Sequence, residues 1–310
     1  MPHPRILVIK LGALGDFLMS LGAMQAIRRH HPDAELVLLT REPYRELGRS
    51  TGLFAEVWAD PAPRWNPLAW LRWRARLRGA GFIRVYDLQT SDRSAGYFRL
   101  FGRARVPEWS GKVEGASHRH VYPGGHRMHS IDRQRAQLEI AGIASVPLPD
   151  MAFLDGEIAG FGLPQHFALL IPGSSPERPE KRWPAGRYGV LAAQLAARGI
   201  APVVIGGGGE AGIAAAIRAA APSALDLTGR TDLGQVAALA RRAAVAVGND
   251  TGPTHLAALA GCPTVALFSA ASDAAKTAPR GAVVRELQAG SLDDLPVEPV
   301  AAAALAIVRD

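Results

Sequence analysis

Val245-Ala246-Val247-Gly248-Asn249-Asp250-Thr251-Gly252-Pro253-Thr254-His255, followed by Leu256-Ala257-Ala258-Leu259-Ala260, is the stretch whose reading decides the architecture. A short apolar β run ends at Gly248, and an Ala/Leu-rich helical pattern takes over by Pro253. The polar cluster therefore lies on a strand-to-helix turn. Such a turn aims free backbone N–H groups and the positive end of a helix dipole at one point, and Thr251 and Gly252 let a phosphate approach closely. The plainer reading is that Asp250 or Thr251 caps the helix and His255 lies on its surface. Asp, Thr, Gly and His packed this tightly exceed what a cap requires. Asp250, Thr251, Gly252, Pro253 and His255 are therefore read as an anion-binding turn.

Upstream of this turn the same strand-turn-helix pattern repeats. His166 to Ile171 is a strand, Pro172-Gly173-Ser174-Ser175 a polar loop, Lys181-Arg182-Trp183-Pro184 the approach to a helix over Arg187 to Arg198. Ala201 to Ile205 is the next strand and Ala211 to Ala220 the next helix, with Gly206 to Glu210 as their turn. From Val146 to Pro164 prolines and glycines replace periodicity, which reads as an interdomain linker. Before it, Arg5 to Lys10 is a buried strand, Leu11 to Asp16 a Gly-containing turn, and Phe17 to His30 a helix. Ala34 to Thr40, Val57-Trp58 and Ile83 to Leu88 are further strands, and Ile131 to Ile140 is a helix. Ser110 to His129 reads as irregular loop. The expected fold class is α/β, with two doubly wound, Rossmann-like halves facing each other across a cleft, over residues 1–150 and 160–310.

In an open α/β sheet ligands bind beyond the carboxyl ends of the strands, so Asp16 points into the expected crevice, with an N-cap as its alternative role. Gln89 and Arg93 follow the strand that ends near Leu88. Between Lys112 and Arg135 fall five basic residues (Lys112, Arg119, Arg127, Arg133, Arg135) and four histidines (His118, His120, His126, His129). No pair has metal-ligand spacing with a carboxylate, so anion binding is preferred to a metal site. Gly207, Gly209 and Gly212 spell G-x-G-x-x-G after a strand, with Asp226 beyond, and a nicotinamide-dependent oxidoreductase is a rival reading. That fingerprint normally opens the first βαβ unit of a nucleotide domain, whereas here it comes after the second half's first strand, and it leaves Asp16, Lys181 and the Asp250 turn without roles.

The chain of 310 residues, 48% hydrophobic and 20% charged, has the composition of a globular protein with a large core. Its one cysteine, Cys262, excludes internal disulfides and lies among apolar neighbours. No signal peptide and no apolar run of membrane-spanning length is read, so a cytoplasmic protein is expected. The net charge of +7 is uneven: residues 1–150 hold 22 Lys+Arg against 14 Asp+Glu, residues 151–310 hold 13 against 14. The +8 first half points to an anionic partner, whether nucleic acid, a phosphorylated saccharide or a membrane surface. Trp65, Trp70 and Trp73 are interleaved with Arg64, Arg72, Arg74, Arg76 and Arg78 in a segment outside the repeating pattern. This reads as an amphipathic element at an anionic membrane, as a stacking surface for nucleic acid or sugar, or as a basic helix with its Trp packed inward.

Taken together, Lys10 to Asp16, Asp87-Leu88-Gln89 with Arg93, His129 to Arg133, Pro172 to Ser175 with Lys181-Arg182-Trp183-Pro184, and Asp250 to His255 resemble glycosyltransferase family 9, in order and over most of the chain. That family includes the bacterial ADP-heptose:lipopolysaccharide heptosyltransferases. The resemblance implies a GT-B fold, an acceptor-binding first domain, a nucleotide-sugar-binding second domain, and inversion at the anomeric carbon without metal or cofactor. It implies Asp16 as the base; Ser174, Ser175 and Lys181 as diphosphate contacts; Glu210 as the ribose-binding carboxylate; and Asp250 through His255 as the donor turn. Lys181 is also given a catalytic part, stabilising the leaving diphosphate. Gln89, Arg93, His129 and Arg133 are the acceptor candidates. The expected partners are an ADP-sugar and an anionic saccharide or lipid-linked acceptor. Peripheral contact with the inner membrane is allowed, and nucleic acid is not expected. A non-hydrolysing sugar-nucleotide epimerase would share the architecture, but needs carboxylates acting on the sugar itself.

Overall fold

The computed structural model describes residues 3–61, 66–102, 106–122 and 128–309, so Arg64, Trp65, His126 and Arg127 lie outside the described residues. The chain divides into two compact units, Met1–Pro149 and Asp150–Asp310.

In the first unit the elements follow as β1 (Arg5–Ile9), α1 (Leu14–His30), β2 (Glu35–Thr40), α2 (Arg45–Ser50), β3 (Glu56–Ala59), α3 (Pro67–Gly79), β4 (Phe82–Asp87), α4 (Asp92–Phe101), β5 (Glu108–Gly111), β6 (His118–Arg119) and α5 (Ser130–Ile140). The strands form one parallel sheet in the order β3-β2-β1-β4-β5-β6. Runs such as Ile6–Ile9 and Leu36–Leu39 are fully buried because helices cover both faces of a parallel sheet. Helix α1 starts three residues earlier than its apolar pattern, since Leu14 and Gly15 complete its first turn. The stretch from Ser110 is not all loop: it closes the sheet with the end of β5 and with β6, strands too short to show alternation. Trp109 fills the space beneath them, edge-on to Phe98 and Phe101.

In the second unit β7 (Phe167–Ile171), α6 (Ala185–Ala196), β8 (Ala201–Val204), α7 (Ala211–Ala220), β9 (Leu225–Asp226), α8 (Leu233–Arg242), β10 (Val245–Asn249), α9 (Gly252–Leu259), β11 (Thr264–Phe268), α10 (Ala274–Thr277), β12 (Val284–Gln288) and α11 (Val297–Ile307) build a second parallel sheet, ordered β12-β11-β10-β7-β8-β9. Counted from its own first strand, this is the same order as in the first unit. Each sheet thus reverses direction once, between β1 and β4 and between β7 and β10, and ligand sites in such sheets form beyond the carboxyl ends at that reversal. The candidate residues after β1, β4, β7 and β10 all fall there. Among the described residues no helix is long and apolar enough to cross a membrane.

Residues 146–157 pack on both units in turn. Arg135 Nε donates to Val146 O (3.0 Å) in the first, and Arg241 donates to Met151 O (2.6 Å) and Leu154 O (2.8 Å) in the second. Gly22 in α1 is required by this path, because a Cβ there would sit 2.3 Å from Pro147 O. Gly22→Ala should therefore cost about 1–3 kcal/mol in urea unfolding. Gly96→Ala, mid-α4 with nothing within 4 Å of the new methyl, should instead gain about 0.5–1 kcal/mol.

Candidate active site

Strand β10 ends in Asn249, and its side-chain amide is fully buried. Its Oδ1 accepts from Trp183 N and from Tyr188 Oη, both at 3.1 Å, while Nδ2 donates to Pro172 O (2.7 Å) and Gly173 O (3.3 Å). One amide therefore fixes three segments: the loop after β7, the Lys-Arg-Trp-Pro approach to α6, and the turn after β10. Gly248 before it has no room for a side chain, since a Cβ would meet Thr254 Oγ1 at 2.3 Å. That hydroxyl donates to Asn249 O at 2.7 Å.

The next residue, Asp250, collects charge. Its Oδ2 accepts from Lys181 Nζ (2.6 Å) and Ser272 Oγ (2.7 Å), and Oδ1 lies 3.5 Å from His255 Nε2. Burial alone would raise the Asp250 pKa, but hydrogen bonds from His255, Lys181 and Ser272 outweigh it and hold the carboxyl well below its ordinary range. His255 is buried, not on the helix surface, because α9 turns it back under the carboxylate. Thr251 is the N-cap of α9 but makes no side-chain cap bond. The capping role therefore does not account for either Asp250 or Thr251.

Thr251 and Pro253 instead line a cavity of about 400 Å³ with Ile171, Ile205, Leu233, Val236 and Glu210. Glu210 reaches it because the chain around it is bare: a Cβ on Gly173 would lie 1.8 Å, and one on Gly206 2.3 Å, from its carboxylate oxygens. Its Oε2 accepts from Gly207 N at 2.7 Å. A carboxylate among aliphatic walls beside a helix N-terminus suits a hydroxylated, partly apolar ligand ending in an anion. The two serines stand differently. Ser174 Oγ donates to Arg178 O and accepts from Arg182 Nε, each at 2.9 Å, whereas Ser175 is exposed and bonds Glu177 (2.9 Å).

The G-x-G-x-x-G match lacks two of the needs behind that fingerprint, the tight turn and the close helix–strand packing. Gly207, Gly209 and Gly212 all have negative φ, and a Cβ on any of them meets nothing within 4 Å. A fingerprint glycine would be needed for a tight turn or for close packing.

In the first unit Asp16 is at the third helical position of α1, not the cap. Its Oδ2 accepts from Ala13 N (3.3 Å), and Gly12 leaves it space, a Cβ there lying 2.7 Å from that oxygen. Lys10, directly after β1, is buried; burial lowers its pKa against the pull of Asp16. Asp87 ends β4, buried, with Oδ1 accepting from Gln89 N (3.1 Å) and Thr90 N (2.9 Å). Thr90 holds φ +49°, a region a β-branched residue rarely enters, and its bond to Asp87 steadies it. Asp87 Oδ2 has no hydrogen-bond partner among the described residues. Burial lifts the Asp87 pKa to about 6, although the Thr90 amide, Ser94, the Gln89 amide and Lys10 pull it back.

The acceptor candidates divide. Gln89 Oε1 accepts from Leu11 N (2.8 Å), tying the loop after β4 to the loop after β1. Arg93 pairs with Asp60 (2.6 Å) and donates to Tyr97 Oη (3.1 Å), and His129 caps α5, its Nδ1 accepting from Ile131 N (3.2 Å). Arg133 lies over the Tyr122 ring at 5.5 Å, close enough to Lys10 to depress its pKa further, and its Nε is unpartnered among the described residues. His120 is buried against Tyr122 with both ring nitrogens likewise unpartnered. No cluster of His, Cys, Asp and Glu that could hold a metal ion occurs among the described residues. Asn249 and Ser272 carry no role in the sequence reading because their partners are remote along the chain, whereas Asp87 enters it only as part of a motif.

A family model, glycosyltransferase family 9 (heptosyltransferase), matches residues 70–293. No curated protein matches the sequence. The E. coli ADP-heptose LPS heptosyltransferase II is 23% identical, with a TM-score of 0.76 and 98% of each chain covered. The E. coli heptosyltransferase WaaC with ADP is 20% identical, with a TM-score of 0.73 over 96% of this chain and 97% of that one. The UDP-GlcNAc 2-epimerase from Methanocaldococcus jannaschii, at 9% identity, reaches a TM-score of 0.57 over 99% of this chain and 93% of that one. At these identities the likeness establishes the fold, α/β of the GT-B type.

The Asp87 carboxyl makes a stability prediction. Its folded pKa of about 6 exceeds the ordinary 3.8, so between those values the folded state holds a proton that the unfolded state has released. Stability must then fall as pH rises through that window, by up to about 3 kcal/mol. Asp87→Asn keeps the acceptor for the two amides and removes the titration. Its urea-unfolding free energy should lose this decline from pH 4 to 6, and a variant profile parallel to the native one would refute the assignment.

Proposed function

The chain belongs to glycosyltransferase family 9, and from that premise we propose that it moves a heptose from ADP-heptose onto a lipopolysaccharide-core or related saccharide, with inversion. The observation that carries the donor half is the Glu210 cavity beside the Asp250 turn: aliphatic walls for a base, a carboxylate for ribose hydroxyls, and an adjoining cation and helix N-terminus for the diphosphate. The ADP bound by WaaC and the ADP-heptose named for heptosyltransferase II favour adenine over uracil.

In the proposed reaction an acceptor hydroxyl attacks the anomeric carbon of the donor and passes its proton to Asp16. The bond from that carbon to the diphosphate oxygen breaks with its electron pair going to ADP. Lys181, already fixed by Asp250, and the first turn of α9 stabilise the charge that develops on the departing phosphate. Thr251, Gly252, Pro253 and His255 shape the donor turn, with Ser174 and Ser175 on the loop opposite it in the same sheet. Acceptor contact is assigned to Arg133 and Gln89, with Arg93 and His129 holding the surrounding loops. In this reading the first unit is the acceptor domain and the second the donor domain, in a cytoplasmic protein that makes peripheral contact with the cytoplasmic face of the membrane.

Asp16→Asn should leave the fold and ADP affinity unchanged, because the amide still accepts from Ala13 N and the donor site belongs to the other unit. Turnover of ADP-heptose with a lipopolysaccharide-core acceptor should drop by about 10²–10⁴-fold. Near-native turnover would rule Asp16 out as the base. In parallel, Glu210→Gln should weaken ADP roughly tenfold or more in calorimetric titration. Equal loss for ADP and for inorganic diphosphate would move Glu210 away from the ribose.

A further inference from the structure

Helix α3 separates its side chains in a way the enzyme's chemistry does not use. Trp73 and Leu77 are buried, and Trp70 is half-buried against Tyr97, so the apolar stripe at i, i+3 and i+7, two tryptophans and a leucine, faces the core. This is the inward-packed outcome among the readings of the Trp/Arg segment. Opposite that stripe Leu68 and Leu71 are 64% and 57% exposed, with Arg72, Arg74 and Ala75 also exposed around them. The helix contains no acidic residue. Over residues 66–102 seven arginines stand against Asp87 and Asp92, and Asp87 is buried.

Some of this charge is committed within the unit. Arg76 stacks on Trp58 at 4.0 Å, and Arg78 Nε donates to Leu100 O at 2.8 Å. For Arg72 and Arg74 the chain supplies no carboxylate on their own helix. Two exposed leucines one turn apart, flanked by arginines, on a helix roughly 20 Å long, are the pattern of an element that lies in a lipid–water boundary: leucines among acyl chains, guanidiniums at phosphates.

We infer that the outer face of α3, centred on Leu68, Leu71, Arg72 and Arg74, docks the first unit onto an anionic phospholipid bilayer. Charge and shape together select this occupant. A single-stranded nucleic acid would need exposed aromatic faces to stack upon, and those of α3 are turned inward, while a duplex would use the arginines and leave the two exposed leucines without an apolar partner. A second copy of the chain would bring the same arginines against these ones across a two-fold axis. A bilayer offers both the negative surface and the apolar depth. The inference is independent of the sugar transferred, since it concerns the face of one helix.

Co-sedimentation of the full chain with phosphatidylglycerol/phosphatidylcholine vesicles, compared with phosphatidylcholine alone, tests it without donor or acceptor. Binding is expected only to the anionic vesicles and should weaken as salt rises. Arg72→Gln with Arg74→Gln should lower the partition coefficient about thirtyfold, and Leu68→Ser with Leu71→Ser about tenfold or more. Hydrogen exchange of the native chain should slow over residues 67–79 when anionic vesicles are added, a readout that needs no variant. Equal binding to both vesicle types, unaltered binding by both double variants, or unchanged exchange over α3 would each overturn the proposal. So would concentration-dependent dimerisation that the leucine variants abolish, or binding to random DNA tighter than to the anionic vesicles.

Discussion

The second unit depends on one buried amide. A carboxylate in place of the Asn249 side chain would set negative charge against the carbonyls of Pro172 and Gly173, and an apolar residue would leave the Trp183 amide without an acceptor. Only a group with both donors and an acceptor satisfies segments that come from 66 and 77 residues away. Buried polar groups of this kind are costly unless every bond is made, and here every bond is made, so the amide specifies a single arrangement of three loops. The neighbouring donor-site candidates inherit that arrangement: Lys181 lies two residues before Trp183, Asp250 follows Asn249, and Gly173, which gives Glu210 its space, carries one of the bonded carbonyls.

Lys181 illustrates how such a frame sets electrostatics. Its half-buried ammonium faces a counterion, donating to Asp250 Oδ2 at 2.6 Å. The ammonium has further N–H bonds to offer an incoming anion, and Ser272 and His255 share the task of keeping Asp250 ionised. The position of the cation is thus fixed by its pairing with Asp250. This fits the near-neutral balance of the second half of the chain, where local pairing and backbone dipoles take the place of net charge.

What the sequence made legible follows from range. Parallel strands buried on both faces are continuous apolar runs, so β1, β2, β7, β10 and the turns after them could be read directly, and the Asp250 turn with them. Strands of two to four residues such as β6 and the end of β5 carry no periodicity and were read as loop. Residue type alone does not announce the bonds a side chain makes within the fold. Arg93 answers Asp60 from a loop 33 positions upstream, and His129 closes the first turn of its own helix. Ser174 likewise spends its hydroxyl on the loop it belongs to. Asn249 was visible as a letter in the decisive stretch, but its function is a sum of four partners that no local pattern encodes.

The two halves repeat one strand order, which allows their equivalent positions to be compared. Asp87 ends β4 and Asn249 ends β10, each the last residue of the strand across the point where its sheet reverses, and each is fully buried. Asn249 satisfies all its polar atoms across three segments. Asp87 accepts from the two amides of its own turn, leaves one oxygen without a geometric hydrogen-bond partner among the described residues, and has its pKa lifted by burial to about 6 beside the buried Lys10. The same place in the same topology is therefore closed in one unit and electrically unfinished in the other. A fully bonded amide suits a site that must hold a bulky, many-pointed ligand in one pose. Burial acts on both groups there, raising the pKa of the Asp87 carboxyl and lowering that of the Lys10 ammonium, and Asp16 stands in the same unit, within the electrostatic reach of Lys10.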